Sequence, residues 1–267
     1  MPEPHRNTTT RQLLTHRGGV RHYILRDIDP TAPGGVIDFR DYSTSKQVLE
    51  VFINDPLVGC PGEQVFYSTF GYTLESLAME AAAAKSFPEL IKDEIGRAFG
   101  MASLDTDPPQ DIRPMRASGY NDGASRAILA GRAPTPGLPA DLTAARQTNP
   151  AYKLAGGGFL STPSDLARFG AALLPSPETR VTPKERAMLF TPLTEATREQ
   201  PPLGLGWRVD TDATGRLRWH HAGGQEGGRA SLVVYPALGL SIAFASNLMT
   251  APGNVLTPSS DLADAFA

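Results

Sequence analysis

Two stretches of this 267-residue chain combine residue types that do chemistry with glycines or turns that expose them. The first is Tyr67-Ser68-Thr69, set between the turn Pro61-Gly62 and the helix-like run Thr73 to Glu80. A phenol at a loop–helix junction is held rigidly while its tip stays open to a cleft. With a free pKa near 10, a tyrosine used as a base needs cationic neighbours to stabilise its phenolate. A purely structural reading competes here, a helix cap with an aromatic staple, Ser68 or Thr69 bonding an orphan amide. The second stretch is His221-Ala222-Gly223-Gly224. A basic side chain ends a strand there, and glycines then let a substrate approach the backbone, whose amides suit an extended ligand or an oxyanion. A glycine-rich hairpin with a surface histidine is the competing reading.

Metal chemistry finds little support. His16 and His22 lie six apart without a third ligand, and neither H-E-x-x-H nor C-x-x-C occurs. Both histidines are expected to be hydrogen-bonded structural residues, and no cofactor is implied. Cys60 is the one cysteine, which excludes an internal disulfide framework; it reads as a small, semi-buried residue beside the turn.

The elements that must position these residues follow from periodicity and punctuation. Thr9 caps a short helix that the pair Gly18-Gly19 stops, and Ser45 to Phe52 forms an amphipathic helix. Leu74, Leu77 and Ala78 recur at helical spacing after the Tyr-Ser-Thr triplet. Phe87 to Phe99 is a further helix, with Pro88 near its start and Gly100 past its end. Residues 104–150 form a long connection with no strong element, a lid or cleft wall. Ser164 to Leu174 and the segment opened by Thr182-Pro183 are helices with cap-then-proline starts. From Gly204 the period changes to that of strands: 206–209, 217–221, 230–235 and 240–245, with a covering helix at 261–266. A helical part (1–200) followed by an antiparallel meander (201–267) is an α+β pattern.

Size and charge bound the function. The chain is long enough for a sizeable core. With 25 basic against 28 acidic residues, and no long block of either sign, there is no electrostatic case for nucleic acid or an anionic membrane. No apolar run is long enough to span a bilayer, and the first residues lack the apolar core of a signal peptide. The chain by itself reads as cytoplasmic, with export open if an upstream segment exists.

In order along the chain, Leu13-Leu14-Thr15-His16, Pro61-Gly62, Tyr67-Ser68-Thr69-Phe70-Gly71-Tyr72, Ala155-Gly156-Gly157-Gly158-Phe159-Leu160-Ser161-Thr162 and His221-Ala222-Gly223-Gly224 resemble the serine β-lactamase-like family. That family includes class C β-lactamases, penicillin-binding-protein-like esterases and D-amino-acid peptidases. Gly19-Val20-Arg21-His22-Tyr23 and Asn54-Asp55-Pro56-Leu57 are similar to the branch of the mitochondrial serine β-lactamase-like proteins and their bacterial relatives. The likeness runs from about Thr9 to the C-terminus. It implies a β-lactamase/transpeptidase-like α+β fold and acyl transfer through a serine. By that resemblance Tyr67 is the general base or proton relay and His221 stands in the third motif, with Thr69, Gly223 and Gly224 binding substrate. Thr69 departs from the asparagine common in lactamases; a hydroxyl reaches less far than an amide, which favours a peptidase or esterase over an efficient lactamase.

The family's nucleophile is the serine of S-x-x-K, on a helix upstream of the Leu-Leu-Thr-His segment. The one S-x-x-K here, Ser43-Thr44-Ser45-Lys46, lies downstream of it, in the wrong order. The chain is therefore expected to begin after the nucleophile helix and the first strands of the sheet, leaving an unpaired edge that favours self-association. Three functions follow: a serine hydrolase acting on a small peptide, amide or ester through an acyl-enzyme; a non-catalytic binding or assembly module; and an enzyme with a relocated Ser43–Lys46 pair.

Overall fold

A computed structural model describes residues 5–29, 31–32, 35–42, 44–109, 111, 113–123, 141–177, 179–198 and 200–267. Helices come first. The short α1 (Thr10–Leu14) has a reciprocal capping box between Thr9 and Gln12. It does not run to the double glycine: His16 adopts a left-handed conformation (φ 55°) and ends it. The helices α2 (Leu25–Ile28), a 3₁₀ turn (Ile37–Phe39) and α3 (Ser45–Glu50) follow. The longest, α4 (Thr69–Ala83), begins at Ser68. Next, α5 (Phe87–Ile91) continues into a π-helical turn (Lys92–Arg97), so the 87–99 expectation holds with a change of winding.

The 104–150 connection is not featureless. It contributes two-residue strands β1 (Asp105–Thr106), β2 (Tyr120–Asn121) and β3 (Thr143–Ala144), of which β2 and β3 pair with each other. A 3₁₀ turn (Pro150–Lys153) and α6 (Leu154–Gly157) lead to β4 (Phe159–Leu160), which pairs with β1. The helices α7 (Pro163–Ala172) and α8 (Pro183–Phe190) start at Thr162 and Thr182, each a threonine cap followed by proline.

The sheet is an antiparallel meander: β5 (Arg208–Thr211), β6 (Leu217–Gln225), β7 (Gly228–Tyr235) and β8 (Leu240–Ser246), in spatial order β5-β6-β7-β8. The final helix, α9 (Thr257–Asp264), starts four residues earlier than expected, with Pro258 in its first turn. In β7 the consecutive residues Leu232, Val233, Val234 and Tyr235 are all buried, as in a strand covered on both faces. On one face α7 approaches closely: a Cβ on Gly170 would stand 2.2 Å from Ser241 Oγ and 2.8 Å from Leu232 Cδ1. On the other, Ala263 of α9 packs with Val233 and Tyr235.

Two cores hold the cleft walls. Leu13, Val20, Ile37, Val48, Phe52 and Phe70 belong to the first, with Phe52 stacked on Phe70 at 4.6 Å. The second joins α7 and α8 to the sheet through Leu173, Phe190, Val209, Trp219 and Val234, with Phe190 stacked on Trp219 at 3.8 Å. The carbonyl of Leu14 ties the helices to the sheet, accepting from Tyr72 Oη (2.8 Å) and from the Gly206 amide (3.2 Å). Cys60 is exposed, not semi-buried.

Candidate active site

Ser68 is the N-cap of α4. Its Oγ accepts from the Gly71 amide at 2.9 Å and donates to the Arg21 carbonyl at 2.7 Å, and the residue is 3% exposed. That hydroxyl is spent on structure. The next two orphan amides of the helix start find unusual acceptors: Ser68 N–H donates to His16 Nδ1 (3.1 Å) and Thr69 N–H to His22 Nδ1 (3.3 Å). With Nδ1 accepting, each neutral ring carries its proton on Nε2. The two imidazoles also grip Tyr67, His16 at 4.3 Å between ring centroids and His22 edge-on at 5.4 Å. Both act as hydrogen-bonded structural residues, and together they clamp the tyrosine motif.

The clamp is itself anchored. His16 is buried, and its carbonyl accepts from the Phe66 amide at 2.8 Å. His22 follows Arg21, whose buried guanidinium bonds Asp27 and Asp55, each at 2.6 Å. Two of the sequence stretches that carried the resemblance, 19–23 and 54–57, are therefore joined by one ion pair.

Arg208 brings the positive charge. It opens β5, with its guanidinium carbon 5.9 Å from the centroid of Tyr67 and its Nε donating to Gln200 Oε1 at 3.1 Å. Burial, with help from Arg208 and His22, pushes His16 down to about 4. Burial, then Arg208, His16 and His220, pushes His221 down to about 3. His22 is lowered by burial and by Arg21, partly offset by Asp27. Around Tyr67, then, the imidazoles are neutral at pH 7 and the fixed cation is an arginine.

His221 does not end its strand, as the glycines after it suggested. β6 continues through Ala222, Gly223 and Gly224 to Gln225 because β7 pairs with it throughout. What ends near His221 is the other side: β5 pairs with β6 from Leu217 to His220, opposite Arg208, and goes no further. The edge from His221 to Gln225 is left without a strand partner among the described residues. Gly223 and Gly224 are exposed, and a Cβ on Gly223 would meet nothing within 4 Å.

Thr69 is 6% exposed and packs its methyl group against α6, where a Cβ on Gly156 would fall 2.3 Å from Thr69 Cγ2. Ser43 lies outside the described residues. Lys46 is 86% exposed on its side chain and pairs with Glu50 at 3.9 Å. Its neighbour Ser45 donates to Glu80 Oε2 near the far end of α4. At 1.5 Å per residue, Glu80 is about 18 Å along the helix from Ser68. The structure thus gathers Tyr67 and His221 around Arg208 and His16 and leaves Lys46 apart. Arg208 escaped the sequence reading because no local spacing links it to Tyr67; only the β5–β6 register places it. Among the described residues no group of three His, Cys, Asp or Glu could hold a metal ion, and no helix is long and apolar enough to cross a membrane.

The Beta-lactamase family model matches residues 1–264. The chain belongs to the beta-lactamase family. It is 28% identical over 218 residues to the human mitochondrial serine beta-lactamase-like protein, covering 73% of this chain and 37% of that one. Penicillin-binding protein 4* of Bacillus subtilis is 26% identical over 241 residues, covering 87% of this chain and 49% of its own length. The chain thus spans less than half of either relative. Among solved structures, a D-amino acid amidase from Ochrobactrum anthropi SV3 superposes with a TM-score of 0.77 at 17% identity, covering 99% of this chain and 74% of that one. The helices and antiparallel sheet are those of the β-lactamase/transpeptidase fold.

Proposed function

We propose that this chain carries the proton-transfer and substrate-edge half of a serine acyl-transfer site, one that cleaves an amide or ester through an acyl-enzyme. The observation that carries the reading is the meeting of Tyr67 and the open His221–Gln225 edge around one fixed cation, Arg208. Tyr67 takes the proton of the attacking serine and returns it to the leaving group. Arg208 stabilises negative charge on the phenol oxygen while that proton is away. His221, neutral at pH 7, contributes a hydrogen bond, and a backbone amide of the glycine edge supports the oxyanion. Buried Thr69 in place of an asparagine favours a peptide, amide or ester over a lactam.

The acylated serine in this reading is neither Ser68, whose hydroxyl is already bonded twice, nor Ser43, whose partner Lys46 stands with α3 near the far end of α4. This reading calls for a serine other than these two, which the experiment below looks for. The spent hydroxyl of Ser68 also supports a second reading, a binding or assembly module that keeps the cleft without the chemistry.

Intact mass after incubation with a fluorophosphonate serine probe tests both. The expected result is no adduct on residues 1–267 and one adduct on a polypeptide extended upstream in its reading frame, slowed about 10²–10⁴-fold by Tyr67→Phe. An adduct on residues 1–267 that Ser43→Ala abolishes would overturn this assignment. No adduct on either polypeptide would leave the binding module.

A further inference from the structure

Among the described residues the open edge of β6 is short and is closed at both ends by different means. At one end β5 occupies it up to His220. At the other stands Glu226, in the turn between β6 and β7. Its carboxylate is almost fully buried and accepts from Asn121 Nδ2 (3.2 Å), Arg146 N (2.8 Å), Arg146 Nε (2.9 Å) and Arg146 Nη2 (2.8 Å). The backbones beside it touch: a Cβ on Gly119 would lie 2.6 Å from the Gly227 carbonyl oxygen, and one on Gly227 would lie 2.3 Å from Ala145 Cβ.

Arg146 does not stop at the sheet. Its guanidinium lies 4.3 Å over the ring of Phe39 in the 3₁₀ turn of the helical side. Three residues on, Asn149 bonds the same turn, its amide donating to the Asp38 carbonyl (2.6 Å) and its Nδ2 to the Arg40 carbonyl (3.0 Å). Tyr152 Oη then donates to Asp38 Oδ1 at 2.5 Å. Residues 143–152 therefore run from the tip of the β6–β7 hairpin to the opposite wall. The window between β5 and this strap is His221 to Gln225, about 13 Å at 3.3 Å per residue.

We infer that the Glu226–Arg146–Phe39 clasp makes the β6 edge a closed-ended subsite for a short extended peptide or N-acyl amide of about four residues. Strand addition to a free edge draws its affinity from main-chain hydrogen bonds, so a ligand gains with each residue until the edge runs out. Past Gln225 the next residue meets the half-exposed Arg146, and past His220 it meets β5. The inference rests on the acyl-transfer reading only for where the scissile bond lies; the length limit belongs to binding and is read without chemistry.

The test is an amide ¹H–¹⁵N titration of the chain with acetylated, amidated alanine-based peptides of two, four and eight residues. The expected result is movement of the Gly223 and Gly224 signals with the two- and four-residue peptides, and at least tenfold weaker binding of the eight-residue one. Arg146→Ala and Glu226→Gln are expected to bring the eight-residue peptide within threefold of the four-residue one, with four-residue binding changed less than threefold. Phe39→Ala, which removes an exposed ring, covers the case in which burial of Glu226 makes the other variants unfold. A merely structural clasp would weaken all lengths together, and that outcome overturns the inference. So does equal binding of all lengths by the parent, or no movement of Gly223 and Gly224 with any. A length limit found without a serine-probe adduct on the extended polypeptide would sustain this inference while the hydrolase reading fell.

Discussion

Arg208 acts on three titratable residues around Tyr67 through the same field: it lowers His16 and His221 and opposes the burial that raises Tyr72. In a partly desolvated cleft such a charge is weakly screened, so its removal is felt at several residues at once. The consequence is measurable as stability. His16 titrates at about 4 when folded, against 6.5 as its ordinary value, so between these limits the unfolded chain binds more protons than the folded one. Stability is fully present above pH 6.5 and is lost as pH falls toward 4, by on the order of 3 kcal/mol for this histidine. Asp210, held down to about 2 against the pull of burial by His220 and Arg218, adds its loss only below about pH 4, in a separate window. Arg208→Met keeps the aliphatic stem and removes the charge. Its His16 should titrate higher, still below 6.5 because burial is the larger cause, and the variant should lose less stability on acidification. Urea midpoints at pH 7 and 4.5 for the two proteins check this; an equal acid loss in both would remove Arg208 from the account.

At the scale of elements, the start of α4 is fixed by close approach. Gly156 of α6 lies against Thr69, where a Cβ would stand 2.3 Å from the threonine methyl. Neither neighbour has room to retreat, since Thr69 N–H is bonded to His22 and Thr73 Oγ1 donates to the Tyr152 carbonyl at 3.0 Å. Gly156→Ala is expected to cost about 1–3 kcal/mol as overpacking and to shift the amide signal of Thr69. A thermal midpoint within a degree of the parent would show that α6 yields freely. Elements of this kind differ in how far sequence reveals them. The starts of α7 and α8 are local, a threonine cap and a proline, and are legible from those residues alone. The end of α1 is not local: His16 turns left-handed where its carbonyl meets Phe66 and its Nδ1 meets Ser68, some fifty residues on. Likewise β2 and β3 are two residues each, too short to show a period. The same distance hides the site. The Tyr67 and His221 stretches show in residue type, whereas Arg208, the histidine clamp and the Glu226–Arg146 clasp arise from register and packing.

For the whole molecule, the far side of the sheet sets the behaviour in solution. β8 pairs with β7 along its length, Leu240 to Ser246, and has no strand on its other side among the described residues. Its sequence, Leu-Ser-Ile-Ala-Phe-Ala-Ser, has no proline and no charge, the two devices that commonly blunt an edge. The faces are covered by α7 and α9, so what is offered is a row of backbone donors and acceptors, the kind of edge that pairs with a second copy. Residues 1–267 are therefore expected to associate with rising concentration, and sedimentation velocity across a hundredfold range reads this directly. Ala245 is exposed on that strand, and Ala245→Lys places a charge at the junction without entering a core. The variant should stay monomeric where the parent associates, with its thermal midpoint unchanged at low concentration. Association of parent and lysine variant alike would move the contact elsewhere on the surface. A parent that is monomeric throughout would mean that the edge is protected in solution, and the polypeptide extended upstream, compared in the same cell, would then show whether added chain changes the edge at all.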